Sequence, residues 1–333
     1  MVRLAVVGVG HWGPNLIRNF LSLSDVDIRW VCDKRSTPLR YVTEKYPELQ
    51  TTRDFKKILS DKSVDGVTIA TPVSTHYELG LAALRAGKHV FIEKPLTQNS
   101  IQAQELVHTA EEAKLNLATG HIMLYHPAVI KMKEIIKSGE FGKLYYAESS
   151  RVNMAPPDPE MDVLWDLAVH DIAVILYIWR KEPVSVTGFG KRFMHPKFVD
   201  SAFILLEFED GSASMHHVSW FSSEKVRSFF LAGSKGSFKF DDTLSDGKLK
   251  FIEHGINAAI GDERFTSKLV FYRPGTVRTP ELNGGEPLRD ECQAFVDAIR
   301  GNGRVLADGR FGLLVIRIIE AVERSINEGR KIL

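Results

Sequence analysis

The chain has 333 residues, 44% of them hydrophobic and 26% charged, which is enough for two domains that each bury a core. Lys+Arg 43 against Asp+Glu 42 leaves a net charge of +1, which excludes a global field for nucleic acid or an anionic membrane. Apolar runs fall far short of the roughly 18 residues of a membrane span. Two cysteines, Cys32 and Cys292, exclude a disulfide framework or a cysteine metal cluster.

Met1-Val2-Arg3 leads straight into a strand with no signal-peptide pattern, so the expected compartment is the cytoplasm. Leu4-Ala5-Val6-Val7 reads as a strand buried on both faces. It runs into Gly8-Val9-Gly10-His11-Trp12-Gly13, spaced G-x-G-x-x-G, and Pro14 then opens a helix where its missing N–H costs nothing. Gly8 permits the tight turn, Gly10 lets a pyrophosphate approach the backbone, and Gly13 lets helix and strand pack closely. The anion would sit on the positive end of that helix. Alone the spacing is weak, but a second strand, Ile28 to Cys32, ends at Asp33, about twenty residues past Gly13. Asp33 is placed to accept the ribose hydroxyls of NAD, or else to cap the helix that starts at Thr37-Pro38. Lys34 and Arg35 beside it could instead cradle the 2′-phosphate of NADP, the less favoured cofactor.

Alternation continues through a short helix from Arg53, a strand Val64 to Ala70 ending at Thr71-Pro72, and a helix His76 to Ala86 closed by Gly87. Next come a strand His89 to Ile92 ending at Glu93-Lys94-Pro95, a helix Ile101 to Ala113 and a strand Leu115 to Thr119. Strands alternating with helices imply a parallel, doubly wound sheet whose ligands lie at the carboxyl ends of its strands. Gly8 to Gly13, Asp33, Thr71-Pro72 and Glu93-Lys94-Pro95 all occupy such ends. Lys94 reads either as a site residue or as half of a Lys–Glu pair on a loop, and His76 as an anchor for its helix.

Beyond residue 121 the pattern changes. Ala128 to Lys137 is helical, and Leu144 to Glu148 extended. The apolar run Leu164 to Trp179 contains Asp166 and His170, which stand on one helix face, either as a structural pair or aimed at a cleft. Val184 to Phe240 reads as five strands with an Asp210-Gly211 hairpin turn. Asn257 to Gly285 reads as a long irregular loop that covers the site. Helices Leu288 to Arg300 and Asp308 to Asn327 close the chain. Neighbours in a strand face opposite ways, so His216-His217 cannot share an ion, and no metal is expected.

Val6 to Gly13, Ala70 to His76, Ala86-Gly87-Lys88-His89-Val90 and Glu93-Lys94-Pro95-Leu96 together resemble the Gfo/Idh/MocA family over essentially the whole chain. The resemblance implies an α/β fold: a Rossmann dinucleotide-binding domain (1–121), then an α+β substrate and oligomerisation domain (122–333) with a large open, mostly antiparallel sheet. The last helices are candidates to pack back on the first domain. It implies an NAD(P)-dependent dehydrogenase acting on CH–OH groups, with Lys94, Asp166 and His170 as the catalytic set. The cofactor set it implies is Gly8, Gly10, His11, Trp12, Gly13, Asp33, Thr71, Pro72, His76, Glu93 and Lys94. Many members carry a Gly-Gly run before the Asp, whereas this chain has Asp162-Val163-Leu164-Trp165. Gly120 to Pro127, Leu164 to Asp171 and Ser219 to Arg227 resemble a subgroup acting on C3 of UDP-N-acetylhexosamines or their uronic acids in surface-polysaccharide pathways. In that light Tyr125, Arg151 and Asn153 are sugar or diphosphate ligands, or else structural. Lys225 and Arg227 are further diphosphate candidates. Dehydrogenases of free sugars or inositols, and sensors that bind the dinucleotide without chemistry, are the alternatives. The resemblance also implies a homodimer or homotetramer.

Overall fold

The computed structural model describes residues 1–154, 161–259 and 269–333. In chain order the elements begin β1 (Val2–Val7), α1 (Gly13–Leu21), β2 (Val26–Cys32), α2 (Ser36–Lys45), β3 (Thr51–Thr52), α3 (Phe55–Ser60), β4 (Gly66–Ile69), α4 (His76–Arg85), β5 (His89–Glu93), α5 (Ser100–Glu112) and β6 (Leu117–Gly120). They continue with α6 (Pro127–Ser138), β7 (Leu144–Val152), a π-helical turn (Leu164–Ala168), α7 (Val169–Trp179), β8 (Ser185–Lys191), β9 (Ser201–Glu207), β10 (Ala213–Ser219) and β11 (Val226–Gly233). The last are β12 (Gly236–Asp241), β13 (Leu249–Ala259), β14 (Leu269–Arg278), α8 (Pro287–Ile299) and α9 (Gly309–Glu328). Two compact units result: Met1–His126 with Gly285–Glu320, and Pro127–Gly284 with Ala321–Leu333.

The first unit is a Rossmann fold. Its six strands run parallel in the order β3-β2-β1-β4-β5-β6. Strands covered by helices on both faces lose the polar alternation, and Leu4, Ala5 and Val6 are accordingly all at 0% exposure. One core cluster joins Leu16, Ile17 and Phe20 of α1 to Cys292, Phe295 and Val296 of α8. Strand order reverses between β1 and β4, and the crevice at such a reversal is where open α/β sheets bind ligands.

The second unit carries an eight-stranded sheet, β14-β13-β12-β11-β7-β10-β9-β8. Every pairing is antiparallel except that of β7 with β10. Alternation is plain in β9, where Ala202, Ile204 and Leu206 are buried while Phe203 is 54% exposed. The Asp210-Gly211 turn joins β9 to β10, with Gly211 at φ 81°. The loop expected over 257–285 is corrected in part: β13 extends to Ala259, and Leu269–Arg278 forms the edge strand β14 paired with it, while 260–268 lie outside the described residues. Pro274 and Gly275 break the strand signal in the sequence. An edge strand tolerates them because one side of it makes no ladder hydrogen bonds.

Candidate functional site

In the first unit, β1 delivers the chain to Gly8, whose φ of 96° is a conformation that suits glycine. A Cβ there would lie 2.5 Å from the Ala70 carbonyl oxygen, and one on Gly13 would run into the Gly8 carbonyl oxygen, so both glycines are fixed by packing. Gly10 differs, since a Cβ built on it would meet nothing within 4 Å. The backbone at Gly10 therefore faces open space. No side chain caps α1 at Trp12, which leaves the positive end of the helix open to an anion. His11 is exposed beside Trp12, their rings stacked 6.5 Å apart.

Asp33 stands immediately after β2. Its Oδ2 accepts the Val9 N–H at 2.9 Å, which ties it to the glycine turn, and its Oδ1 accepts the Arg35 N–H at 2.8 Å. The Arg35 guanidinium lies at 3.1 and 3.2 Å from the two oxygens. Burial pushes the Asp33 carboxyl up, but these hydrogen bonds outweigh it and hold the group below the usual carboxylate range. An ionised acceptor at this strand end suits ribose hydroxyls, and Arg35 is engaged by Asp33. An open cradle at Gly10, an uncapped helix N-terminus and a fixed carboxylate together fit NAD.

Two further strand ends of the unit are tied to each other. His76 lies 2.9 Å from the Thr71 carbonyl oxygen through Nε2 and 2.9 Å from the Pro95 carbonyl oxygen through Nδ1. Burial lowers its pKa, so the ring is neutral and donates to one of these carbonyls at a time. Its place is that of a clamp between the Thr71-Pro72 and Lys94-Pro95 segments. The Thr75 hydroxyl lies 2.7 Å from Thr71 Oγ1 and 2.8 Å from the Pro72 carbonyl oxygen. The Glu93 carboxyl is buried, which drives its pKa up to about 8 against the opposing pull of the Lys94 ammonium. Tyr125 is 6% exposed and its hydroxyl accepts the Leu306 N–H at 3.0 Å, so it holds the segment between α8 and α9.

In the second unit, the helical run opens with a turn of π-helix at Leu164–Ala168 before α7 begins. Such turns concentrate at functional sites. Within 162–170 only Asp166 and His170 are not fully buried. Asp166 Oδ2 accepts the Trp220 indole N–H at 3.1 Å. Asp162, which the sequence reading did not single out, accepts the Leu164 N–H at 2.9 Å and caps this run. Burial, reinforced by Glu323, raises its pKa to about 7.

Arg151 is committed elsewhere in the unit. Its Nε is 2.7 Å from Asp171 Oδ1, both side chains are buried, and Asp171 Oδ2 accepts the Ser149 hydroxyl at 2.8 Å. Ser149 Oγ also lies 2.8 Å from His216 Nδ1, and Ser214 Oγ 3.0 Å from His216 Nε2. His216 is thus a member of a buried network beneath α7, and His217, on the opposite face, stacks on Phe203 at 4.3 Å. Arg227 pairs in register with Arg151 across β11 and β7, and burial followed by Arg151 lowers its pKa. Asn153 donates its backbone N–H to the Ser219 carbonyl at 3.1 Å. Asp171 carried a signal that the sequence reading left unused, a charge inside an apolar run. Trp220 and Ser149 carried no such signal.

A Rossmann unit with this cradle and a mixed-sheet unit bearing an Asp–His pair define an NAD-binding oxidoreductase of two parts. Residues 2–121 match the description "Oxidoreductase family, NAD-binding Rossmann fold", and residues 129–239 match the Gfo/Idh/MocA C-terminal domain. The UDP-N-acetylglucosamine 3-dehydrogenase of Acidithiobacillus ferrooxidans is 33% identical over 95% of this chain and 94% of its own. A solved structure of that dehydrogenase superposes with a TM-score of 0.81, at 26% identity over 98% and 97% of the two chains. The myo-inositol 2-dehydrogenase of Thermotoga maritima is 24% identical over 99% and 98%. The chain belongs to the Gfo/Idh/MocA family of oxidoreductases.

Proposed function

We propose that the protein is an NAD-dependent dehydrogenase of a secondary alcohol, C3 of a UDP-N-acetylhexosamine or its uronic acid, in nucleotide-sugar metabolism of the cytoplasm. The observation that carries the chemistry is Asp166, held at 3.1 Å by the Trp220 indole N–H and standing one turn before His170 in an otherwise buried run. The similarity to the 3-dehydrogenase, at 33% identity over 95% of the chain, supports the choice of substrate.

NAD, when bound, supplies the hydride acceptor. Gly8 to Gly13 and the start of α1 would hold its diphosphate, and Asp33 its ribose hydroxyls. His170 takes the proton of the substrate hydroxyl, a task suited to an imidazole near its working pH. Asp166 orients His170 or the hydroxyl, and Lys94 stabilises developing negative charge on the oxygen. The second reading, an inositol or free-sugar dehydrogenase, rests on the T. maritima relative, similar over 99% of this chain. A sensor without chemistry has Lys94, Asp166 and His170 against it. Phe189, Phe203 and His217 stand side by side across β8, β9 and β10, and Phe189 and Phe203 are 60% and 54% exposed. That apolar row supports a second copy of the chain as its partner.

The test follows nicotinamide absorbance with NAD and a carbonyl trap, across UDP-sugars, free sugars and inositols. Reduction with the UDP-N-acetylhexosamine or its uronic acid alone is the expected result. Reduction with inositol or a free sugar establishes the second reading, and silence throughout with NAD still bound overturns the first and leaves the sensor or a sugar outside the panel.

A further inference from the structure

Under α7, buried side chains of the second unit are joined in a row. Ser149 and Arg151 stand two apart on β7, and Ser214 and His216 two apart on β10, so each pair shares a face of its strand. The two strands are parallel, and their register sets His216 directly beside Ser149. Asp171 meets them from the first turn of α7. None of these residues is more than 6% exposed. The contacts run from Ser214 Oγ to His216 Nε2 at 3.0 Å and from His216 Nδ1 to Ser149 Oγ at 2.8 Å. They end at Asp171, whose Oδ2 takes Ser149 Oγ at 2.8 Å and whose Oδ1 takes Arg151 Nε at 2.7 Å.

Counting protons gives the row a direction. Both Asp171 oxygens accept, one from Arg151 and one from the Ser149 hydroxyl. A serine hydroxyl has a single proton, so Ser149 spends it on Asp171 and can only accept from His216. His216 Nδ1 therefore carries a proton. Burial holds the His216 pKa down at about 4 against the pull of Asp171, so the ring is neutral near neutral pH and Nε2 is left to accept from Ser214. In the other tautomer Nδ1 would be an acceptor competing with Asp171 for the same serine proton. The tautomer thus decides which way Ser149 points.

That choice bears on α7. The helix has no side-chain cap at Ala168, and its first turn carries His170 next to Asp171. The Asp171 carboxyl ties this turn to β7. Held at one oxygen it could swing about that bond, and held at both its plane is fixed.

We propose that His216 is a positioning residue for the Asp166–His170 pair: fixed as the Nδ1–H tautomer, it directs the Ser149 hydroxyl to Asp171 and so holds the turn of α7 that presents His170. The inference rests on reading Asp166 and His170 as the reacting pair, but not on the identity of the alcohol.

Asparagine and glutamine in place of His216 separate the two ring nitrogens, because the amide nitrogen of Asn falls near Nδ1 and that of Gln near Nε2. His216→Asn keeps a donor for Ser149, and His216→Gln removes it. In nitrogen-15 spectra of the full chain labelled at histidine, with no NAD or sugar, the signal that His216→Asn deletes is expected to be that of an Nδ1–H imidazole. An Nε2–H form, or an exchanging mixture of the two, overturns the proposal. With NAD and the alcohol that is oxidised, His216→Gln is expected to lower kcat about tenfold at unchanged NAD affinity, and His216→Asn to stay within about threefold of wild type. Equal kcat in the two variants overturns the positioning role, since lost packing alone affects both. If no alcohol of the panel is oxidised, it is the substrate reading that has failed, and the His170 ring signals decide this one. They are expected to move in His216→Gln and to stay in His216→Asn, and signals unmoved in both overturn it. The tautomer is read in the wild-type protein, so it decides even if His216→Gln fails to fold.

Discussion

Replacing Asp171 with Asn removes one charge from a buried ion pair and leaves the other in place. Asp171 is 0% and Arg151 5% exposed, and their contact at 2.7 Å is backed by the Ser149 hydroxyl on the other carboxylate oxygen. In register beside Arg151 stands Arg227, so the same carboxylate also offsets a second cation. Breaking a pair of this kind costs about 3–5 kcal/mol, because the remaining guanidinium is buried without its counter-ion. For a unit of this size each kcal/mol lowers the melting temperature by roughly 2–4 °C, which gives a fall of about 6–20 °C by calorimetry. Exchanging both partners for apolar residues, Arg151→Met with Asp171→Leu, should recover most of the loss, since no charge is then stranded. The reasoning fails if Asp171→Asn lowers the midpoint by less than about 2 °C while the substrate KM rises, for Arg151 would then serve the substrate rather than the core.

Gly10→Ala has room for its methyl group, so the melting temperature should hold while NAD affinity falls at least tenfold in a titration; Gly13→Ala meets the Gly8 carbonyl and should lose stability instead. Lys94→Ala and His170→Ala should each lower turnover about a hundredfold or more while NAD binding survives, as measured by stopped assay and titration side by side. Burial holds His216 down at about 4 and His121 at about 3, so both bind fewer protons folded than unfolded. Their stabilisation is complete above the unfolded pKa of about 6.5 and is lost as pH falls toward those values. A melting series should therefore show an acid limb, and His216→Gln should shorten it.

The parallel sheet of the first unit was legible because each local signal agreed with the next. Val6-Val7 before Gly8, Asp33 after β2 and Lys94 after β5 are strand ends in one parallel sheet, and a parallel sheet presents all its carboxyl ends together. The pairing of β14 with β13 was not legible, because edge strands carry the Pro and Gly that a strand pattern excludes. Nor was the π-helical turn at Leu164–Ala168, whose apolar pattern is that of any buried helix.

Polar residues of the two interiors were legible singly but not in company. Asp171 is a carboxylate inside the apolar run Leu164 to Trp179, and a buried carboxylate demands a partner. Nothing in the sequence says that the partner is Arg151. That follows only once β7 lies under α7, and the parallel register of β7 with β10 then sets His216 against Ser149. Glu291 is the same case, since its helix reads as amphipathic with a charge on the wrong side. A carboxylate that contradicts its own helix pattern marks a place where the fold accepted a cost, and the neighbour that explains it lies on another element. For Asp171 that neighbour is a cation, the Arg151 guanidinium at 2.7 Å. For Glu291 burial raises the pKa, and the Glu93 carboxyl raises it further.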